Sequence, residues 1–283
     1  MYTPRRKPFR RPLFALALCL VLSASARGQQ PDAPQREARP YGGSGDLAGR
    51  VAVRSGDPAP VTARFGSAYD SVAVAPDGLA FIDRAQTALF LKGVEGVRTL
   101  AYTGEETPGG ARLAGLSRVA AGGDGTLAFV ADLADSRQGI YRIDPLRAAP
   151  EEVVTTGSTL DPGDGELTVA ALYEPAVDGQ GAVVAGIQFF EGTTAVVRFA
   201  RSSAPEIVLR TGDAIGAEVF STLLAAPAVN ASGRVAVSAA LESGGTAVVT
   251  LAAGEPPAVL FMLLPPQSSF VAHTSPAIGD GGQ

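Results

Sequence analysis

Short apolar segments alternate with glycine, proline, serine and acidic residues along most of this chain. The clearest example runs from Pro227 to Leu264, where four apolar runs are separated by polar turn residues at 230–233 and 242–245 and by Pro257. Apolar runs of this length between turn-forming residues are typical of β-strands joined by tight turns. The pattern therefore predicts a four-stranded antiparallel meander in this stretch.

The same pattern recurs upstream with a regular spacing. Glycines that precede a strand lie 47, 56, 52 and 49 residues apart, at Gly78, Gly125, Gly181, Gly233 and Gly282. A second marker, Thr-Gly or Ser-Gly, has its glycines 48, 53 and 55 residues apart, at Gly56, Gly104, Gly157 and Gly212. Two independent markers agree, so the sequence indicates a repeat of about 50 residues.

Each repeat is predicted to hold four strands. The unit boundaries fall at about 57–104, 105–157, 158–212 and 213–265, with a partial unit at 266–283. The strands that we predict in the first three units are 71–75, 79–82, 88–91 and 97–102, then 116–120, 126–131, 139–143 and 152–155, then 170–177, 182–187, 194–199 and 206–210.

The second strand of each unit is apolar on both faces, as in Leu127–Ala131 and Val235–Ala239. Such strands are buried on both sides, which happens when sheets stack face to face. Four-stranded units that cannot bury their faces alone predict an all-β fold, a β-propeller with one blade per repeat. The alternatives are a β-solenoid and a row of small sandwiches.

The phase of the repeat leads to an expectation about ring closure. Val51–Asp57 matches Ile207–Asp213, which contains the last strand of the third unit. The repeat domain therefore begins with the fourth strand of a unit, and this strand could complete a sheet whose first three strands come from the other end of the chain. Phe270–Gln283 matches only the first strand and turn of a fifth unit. We therefore expect the propeller in this sequence to be incomplete at its C-terminal side, lacking at least two strands.

The N-terminal segment has the composition of a secretory signal peptide. Five basic residues precede the apolar run Leu13–Leu22, and small residues up to Ala26 form a cleavage site. We predict a signal peptide at 1–26, a flexible lead-in at 27–49 and the repeat domain at 50–283. Leu18 before Cys19 disfavours a lipoprotein, and the residues after Arg10–Arg11 favour general export over the twin-arginine route.

Cleavage would leave an acidic chain without cysteine. It removes five basic residues, and the remaining 18 basic and 28 acidic residues give a net charge of about −10. This charge argues against nucleic acid as a partner, and no later apolar run is long enough for membrane insertion. We expect a monomer in the periplasm, in the medium or at the cell surface, with a protein or glycan ligand.

The repeat resembles that of a family of exported bacterial tandem-repeat proteins with the signature Asn-x-x-Gly-x-x-Ala-Phe, often found with one of several C-terminal surface anchors. The fourth unit carries this signature as Asn230, Gly233 and Ala236, with Val237 in place of Phe. The second unit keeps Ala-Phe at 128–129, and the third has Asp178 at the Asn position. The resemblance implies a secreted, propeller-like surface protein and no assigned reaction.

Few residues are candidates for catalysis or metal binding. The one histidine, His273, lies in the partial unit, which disfavours a Ser-His-Asp mechanism. Asp161, Asp164 and Glu166 form a glycine-containing acidic loop that could hold calcium, although a solvated turn is the favoured interpretation. Glu105–Glu106 is interpreted as a solvated pair. We assign no catalytic, cofactor or metal residue.

The remaining candidates are assigned structural roles. We predict that four aromatic residues pack in the core or between blades: Tyr141, Phe189, Phe190 and Phe220. We also predict that three strand arginines pair with nearby carboxylates: Arg142, Arg198 and Arg210. The resulting hypothesis is a non-enzymatic exported propeller that acts as a binding or surface-display module. The alternative is a propeller hydrolase or lyase that uses carboxylates, with or without calcium.

Overall fold

A computed structural model describes residues 69–83, 88–144, 146, 149–161, 165–264 and 276–279. These residues belong to one compact unit. The predicted signal peptide, the lead-in, the closing strand at 51–54, Asp164 and His273 lie outside the described residues, and the predicted domain boundaries stay predictions. In the described part every regular element is a β-strand, and no helix there could cross a membrane.

Within the described residues, twenty strands form four antiparallel sheets that follow one another along the chain. Sheet 1 contains β1 to β4, and sheet 2 contains β5 to β8, each in chain order. Their bounds are β1 Tyr69–Ala75, β2 Gly78–Asp83, β3 Ala88–Gly93, β4 Gly96–Tyr102, β5 Leu113–Ala121, β6 Leu127–Leu133, β7 Gln138–Ile143 and β8 Glu151–Thr155.

Sheets 3 and 4 repeat this arrangement with a divided first strand and a short leading strand. Sheet 3 contains β9 Thr159–Leu160, β10 Leu167–Leu172, β11 Ala176–Val177, β12 Val183–Phe189, β13 Thr194–Phe199 and β14 Glu206–Arg210. Sheet 4 contains β15 Ala214–Ile215, β16 Glu218–Leu223, β17 Ala228–Val229, β18 Val235–Leu241, β19 Thr246–Leu251 and β20 Ala258–Leu263.

The first strands of sheets 3 and 4 differ from the prediction. We predicted one strand over 170–177, but β10 ends at Leu172 and pairing resumes only at Ala176, after Pro175. In sheet 4 the long first strand is Glu218–Leu223, upstream of the stretch from Pro227 that we predicted, and β17 after Pro227 has only two residues. Proline lacks the N–H that the ladder needs, so it divides the strand in both sheets.

Consecutive sheets bury their faces against each other. One apolar cluster joins sheets 1 and 2, a second joins sheets 2 and 3, and a third joins sheets 3 and 4. Each sheet between two others has a front face towards the preceding sheet and a back face towards the following one. On β6, for example, Phe129 packs on sheet 1 and Val130 packs on sheet 3.

One row of back-face residues takes the same register in all four sheets, and we call it the back row. It joins the second, third and fourth strands of a sheet as Ile82–Leu89–Ala101, Val130–Ile140–Val154, Gly186–Val196–Leu209 and Ser238–Val248–Phe261. Beside each row the fourth strand has a bulge. The second, third and fourth strands of all four sheets therefore pair in one common register.

Sheets of four main strands that stack front to back in chain order form the blades of a β-propeller. The all-β propeller that the sequence predicted is confirmed at the level of the fold. The hydrophobic effect drives this stacking, because it removes the apolar faces of neighbouring sheets from water.

Candidate functional site

A groove of about 530 Å³ opens beside the β3–β4 hairpin, and we refer to it as the hairpin groove. Two carboxylates, one guanidinium, several apolar side chains and glycine backbone line it: Asp77, Leu91, Gly93, Val94, Glu95, Gly96, Val97, Arg98 and Leu146. Leu146 follows β7 of sheet 2, and the other residues belong to sheet 1. The groove therefore lies where two blades meet, a common place for ligand sites.

A close backbone contact fixes the shape of this groove. A Cβ atom on Gly78 would lie 2.0 Å from the Lys92 carbonyl oxygen, and the φ of Gly78 is +151°. Only glycine allows the β1–β2 turn to approach the β3–β4 hairpin this closely. The contact holds Asp77 beside Gly93 at the wall of the groove.

The rim of the groove exposes apolar side chains to water. Val94 is fully exposed at the tip of the hairpin, and Leu146, which follows β7, is 84% exposed. Asp77, Glu95 and Arg98 are also exposed. Exposed apolar side chains beside exposed carboxylates are suited to non-covalent binding of another polypeptide that carries both apolar and basic groups.

The turns between the first and second strands of the sheets form a polar network near the same end of the molecule. In sheet 3, Asp178 Oδ1 accepts hydrogen bonds from the backbone N–H groups of Gln180 and Ala182, each at 2.9 Å. In sheet 4, Asn230 Oδ1 accepts from the N–H of Arg234 at 2.9 Å. Both side chains close their own turn, as Asp and Asn commonly do.

Two arginines at the same register connect one blade to the next. Arg142 Nη1 donates to the Gly181 carbonyl at 3.5 Å, and Arg198 Nη1 donates to the Gly233 carbonyl at 3.2 Å. Arg142 also pairs with Glu151, with an Nη2–Oε1 distance of 2.6 Å, while Arg198 pairs with the buried Asp178. The predicted pairing is confirmed for these two arginines, and it is structural because both join blades.

The tyrosine at the centre of β7 is held in its neutral form. Burial, and after it the nearby carboxylate of Glu152, raise the pKa of Tyr141 to about 12. The hydroxyl lies 3.4 Å from Glu152 Oε2, to which it can donate a hydrogen bond. Tyr141 is therefore a core residue that stacks on Phe129, with ring centroids 5.8 Å apart.

The acidic candidates fall on connections between strands. Asp161 and Glu166 lie in the connection of the β9–β10 hairpin. Glu105 Oε2 accepts a hydrogen bond from the backbone N–H of Tyr102 at 3.1 Å, and Glu106 forms an isolated bridge with Arg112. No three His, Cys, Asp or Glu side chains are grouped for metal binding within the described residues.

One of the aromatic predictions is wrong. Tyr141, Phe189 and Phe220 are buried, but Phe190 is 70% exposed because β12 ends at Phe189 and Phe190 begins the turn. Our sequence reasoning also missed the hairpin groove. Its only sequence signal was Val94 between Gly93 and Gly96, an apolar residue placed in a turn where water would surround it.

The structure defines the chain as a β-propeller of four-stranded blades. Among solved structures it is similar to TolB from Acinetobacter baumannii, with 14% identity, a TM-score of 0.51 and coverage of 77% of this chain. The alignment covers 48% of the TolB chain, so this chain spans about half of TolB's length. No match to a curated protein was found.

Residues 20–273 match the family model of DUF7453, described as a family of unknown function, and the chain belongs to this family. Two further solved structures have lower TM-scores. A gluconolactonase from Xanthomonas campestris has 14% identity, coverage of 77% of this chain and 69% of the other, and a TM-score of 0.43. A six-bladed lectin from Aleuria aurantia has 9% identity, coverage of 74% and 83%, and a TM-score of 0.29.

Proposed function

We propose that this chain is an exported, non-enzymatic propeller that binds an extended protein segment in the hairpin groove, as a binding or surface-display module. The observation that carries the proposal is the pairing of exposed apolar side chains with exposed carboxylates in one inter-blade groove. Val94 and Leu146 supply the apolar contacts, and Asp77 and Glu95 supply acceptors for basic side chains.

A protein segment fits this groove better than a glycan. Sugar rings are usually held by aromatic stacking together with polar groups, but none of the described residues that line the groove is aromatic. The glycine backbone at 93 and 96 allows another main chain to approach closely. Lysine or arginine on the partner would meet Asp77 and Glu95, and aliphatic side chains would meet Val94 and Leu146.

Three described carboxylates that would be candidates for catalysis take part in structural contacts. Asp178 closes a turn and pairs with Arg198, Asp124 accepts from Thr126 N and Oγ1 at 2.9 and 2.8 Å, and Glu151 pairs with Arg142. The carboxylate hydrolase or lyase remains the alternative hypothesis. Its test is turnover of chromogenic esters and glycosides.

The binding proposal is tested with a library of random nine-residue peptides and, in parallel, a glycan array. We expect selected peptides to combine basic and aliphatic residues. Val94→Asp and Glu95→Lys should each weaken their affinity by about tenfold or more. The matched control is Glu242→Lys, at an exposed turn glutamate of sheet 4, which should bind like the wild type.

Two results would overturn the groove assignment. One is unchanged peptide affinity in both groove variants. The other is binding to glycans with no selected peptide. Export is tested separately by expression in a Gram-negative host: the mature protein should begin at Arg27, and a chain retained in the cytoplasm with residues 1–26 intact would contradict export.

A further inference from the structure

Two of the described residues other than glycine have a left-handed backbone, Arg118 with φ +55° and Ser136 with φ +69°. The conformation of Ser136 belongs to its turn, in which its N–H donates to the Leu133 carbonyl at 3.0 Å. Gly192 and Gly244 hold the same place in the turns of sheets 3 and 4. Arg118 lies inside β5 instead, away from any turn between strands. Its backbone therefore needs another explanation.

A β-bulge in β5 produces this conformation. Ser117 and Val119 pair with consecutive residues of β6, so Arg118 between them is the extra residue of the bulge. Glycine is the usual residue at a bulge position with positive φ, because a Cβ atom there crowds the backbone. An arginine in its place should disfavour folding by about 5- to 30-fold. A contact of the arginine side chain must offset this strain.

A side chain of the preceding sheet holds this bulge in place. The backbone N–H of Val119 donates to Ser71 Oγ on β1 at 3.0 Å. Ser71 Oγ also lies 3.5 Å from the Val119 carbonyl oxygen. Both contacts fix the backbone directly after Arg118. The bulge is thus part of the contact between sheets 1 and 2, and the fold sets the direction in which the arginine side chain leaves β5.

The side chain of Arg118 reaches the corresponding position of sheet 3. Its Nε lies 3.0 Å from Glu174 Oε1, and the two side chains are 56 and 46% exposed. Tyr173 and Ala176 bond to residues of β12 that are two positions apart, so Glu174 lies in a bulge as well. An exposed pair of this kind favours folding by no more than about fivefold. The pair alone therefore does not offset the strain at Arg118.

The chemistry of this pair favours one class of ligand. A guanidinium carries five N–H donors, more than one carboxylate can accept, and its planar edge matches a second carboxylate. Glu174 beside it repels a doubly charged phosphate more strongly than a singly charged carboxylate. The first strands of the blades surround the propeller axis, so Arg118 and Glu174 lie on the inner wall of the molecule.

We propose that Arg118 binds a small carboxylate ligand on this inner wall, beside Ser71 and Glu174. In the free protein Glu174 holds the guanidinium, and the ligand carboxylate shares it. Backbone strain is often stored at ligand sites, where it fixes a side chain for recognition. The proposal does not rest on the function proposed for the hairpin groove, because none of these residues lines that groove.

The test follows the backbone amide resonance of Val119 by NMR while the protein is titrated with acetate at neutral pH. We expect a saturable shift, with half-saturation at a concentration at least about tenfold lower than for chloride or inorganic phosphate. Glu174→Gln removes the competing carboxylate and should tighten acetate binding about threefold or more. The matched control is the exposed pair of Arg234 and Glu255, 3.1 Å apart and without a left-handed residue. The amide of Arg234 should show no saturable shift with acetate.

Substitution of Arg118 separates ligand binding from a structural role. Arg118→Gly relieves the backbone and removes the guanidinium, so it should abolish the acetate shift and melt no lower than the wild type. Arg118→Gln keeps the strained Cβ without the charge and should also abolish the shift. Arg234→Gly is the matched control and should melt about 2–4 °C lower than the wild type, because glycine relieves no strain there.

Three results would overturn the proposal. One is an equal response of the Val119 amide to acetate and to chloride. Another is an acetate shift that survives in Arg118→Gly or Arg118→Gln. The third is melting of Arg118→Gly below the wild type, which would show that the arginine side chain stabilises the fold. A tighter response to phosphate than to acetate would contradict a carboxylate as the ligand.

Discussion

Sheets 3 and 4 share strand order, turn position and back-row register. They differ in the residue at the turn and in the residue at the position of Arg198. In sheet 3 the turn acid Asp178 is fully buried and pairs with Arg198 on β13. In sheet 4 the turn residue is Asn230, and Thr250 takes the register position of Arg198. A charged pair in one blade thus corresponds to a neutral pair in the next.

This comparison indicates which pairs of residues the fold tolerates at the turn and at the position of Arg198. A buried carboxylate needs a cation, because an uncompensated charge in the interior is costly. An amide in the same turn needs none, since its oxygen accepts the turn hydrogen bond and its nitrogen donates to the Gly279 carbonyl. The two residues of each pair should therefore be exchangeable together but not singly.

The largest expected effect comes from separating the charged pair. Arg198→Thr leaves Asp178 buried without its cation and should lower the free energy of unfolding by about 3–5 kcal/mol. Adding Asp178→Asn reproduces the pair of sheet 4 and should recover most of that loss. Urea denaturation of the two single variants and the double variant gives the coupling energy. A double variant no more stable than Arg198→Thr would show that the two blades are not equivalent.

The second prediction compares the fourth-strand positions of the two back rows. Leu209→Ala removes a side chain that packs under sheet 4 and should cost about 2–5 kcal/mol of unfolding free energy. Phe261→Ala removes a side chain of larger volume from the equivalent position, but because it is half exposed the change should stay within about 0.5 kcal/mol. Both are measured by urea denaturation. A loss at Phe261 as large as that at Leu209 would mean that Phe261 is covered.

The strand pattern allowed most of this fold to be predicted from the sequence. Thr194–Phe199 and Glu206–Arg210 were predicted with the bounds that the structure has, because each is a short apolar run between turn residues. The first strands of sheets 3 and 4 were misjudged because they are bulged and divided by Pro175 and Pro227. An apolar pattern does not show where pairing is interrupted.

The contacts between blades were less predictable than the strands. Asp178 and Asn230 could be recognised as turn residues from local chemistry, but their partners Arg198 and Gly279 are 20 and 49 residues away. Which residues meet across blades depends on the register, and the register depends on bulges that leave no clear sequence signal. The hairpin groove was missed for the same reason, since Leu146 reaches it from another sheet.

A third prediction concerns the second-strand position of the two back rows. Gly186 has no room for a side chain, because a Cβ there would lie 2.5 Å from Leu223 Cδ1 and 3.0 Å from Tyr173 Cδ2. Ser238 takes the same register in sheet 4. Gly186→Ser should therefore cost about 1–3 kcal/mol through overpacking against sheet 4.

The control for this change is Ser238→Gly, which tests only the intrinsic cost of glycine in a strand, about 0.5–1 kcal/mol. Both variants are compared with the wild type by thermal and urea denaturation. If Gly186→Ser is as stable as the wild type, sheet 4 does not pack on sheet 3 as closely as the structure shows.

The smallest effect is expected from an arginine–carboxylate pair at the surface. Arg234 Nη2 lies 3.1 Å from Glu255 Oε2, and these side chains are 33 and 58% exposed, compared with 19 and 0% for Arg198 and Asp178. Water solvates the charges of Arg234 and Glu255 nearly as well as the partner does, so Arg234→Ala should cost about 0.2–1 kcal/mol. The loss of unfolding free energy in Arg234→Ala is compared with that in Arg198→Thr at low and at high salt. This comparison separates the effect of burial from that of charge pairing. Salt should reduce the Arg234 effect and leave the Arg198 effect nearly unchanged, because a buried pair is only weakly screened.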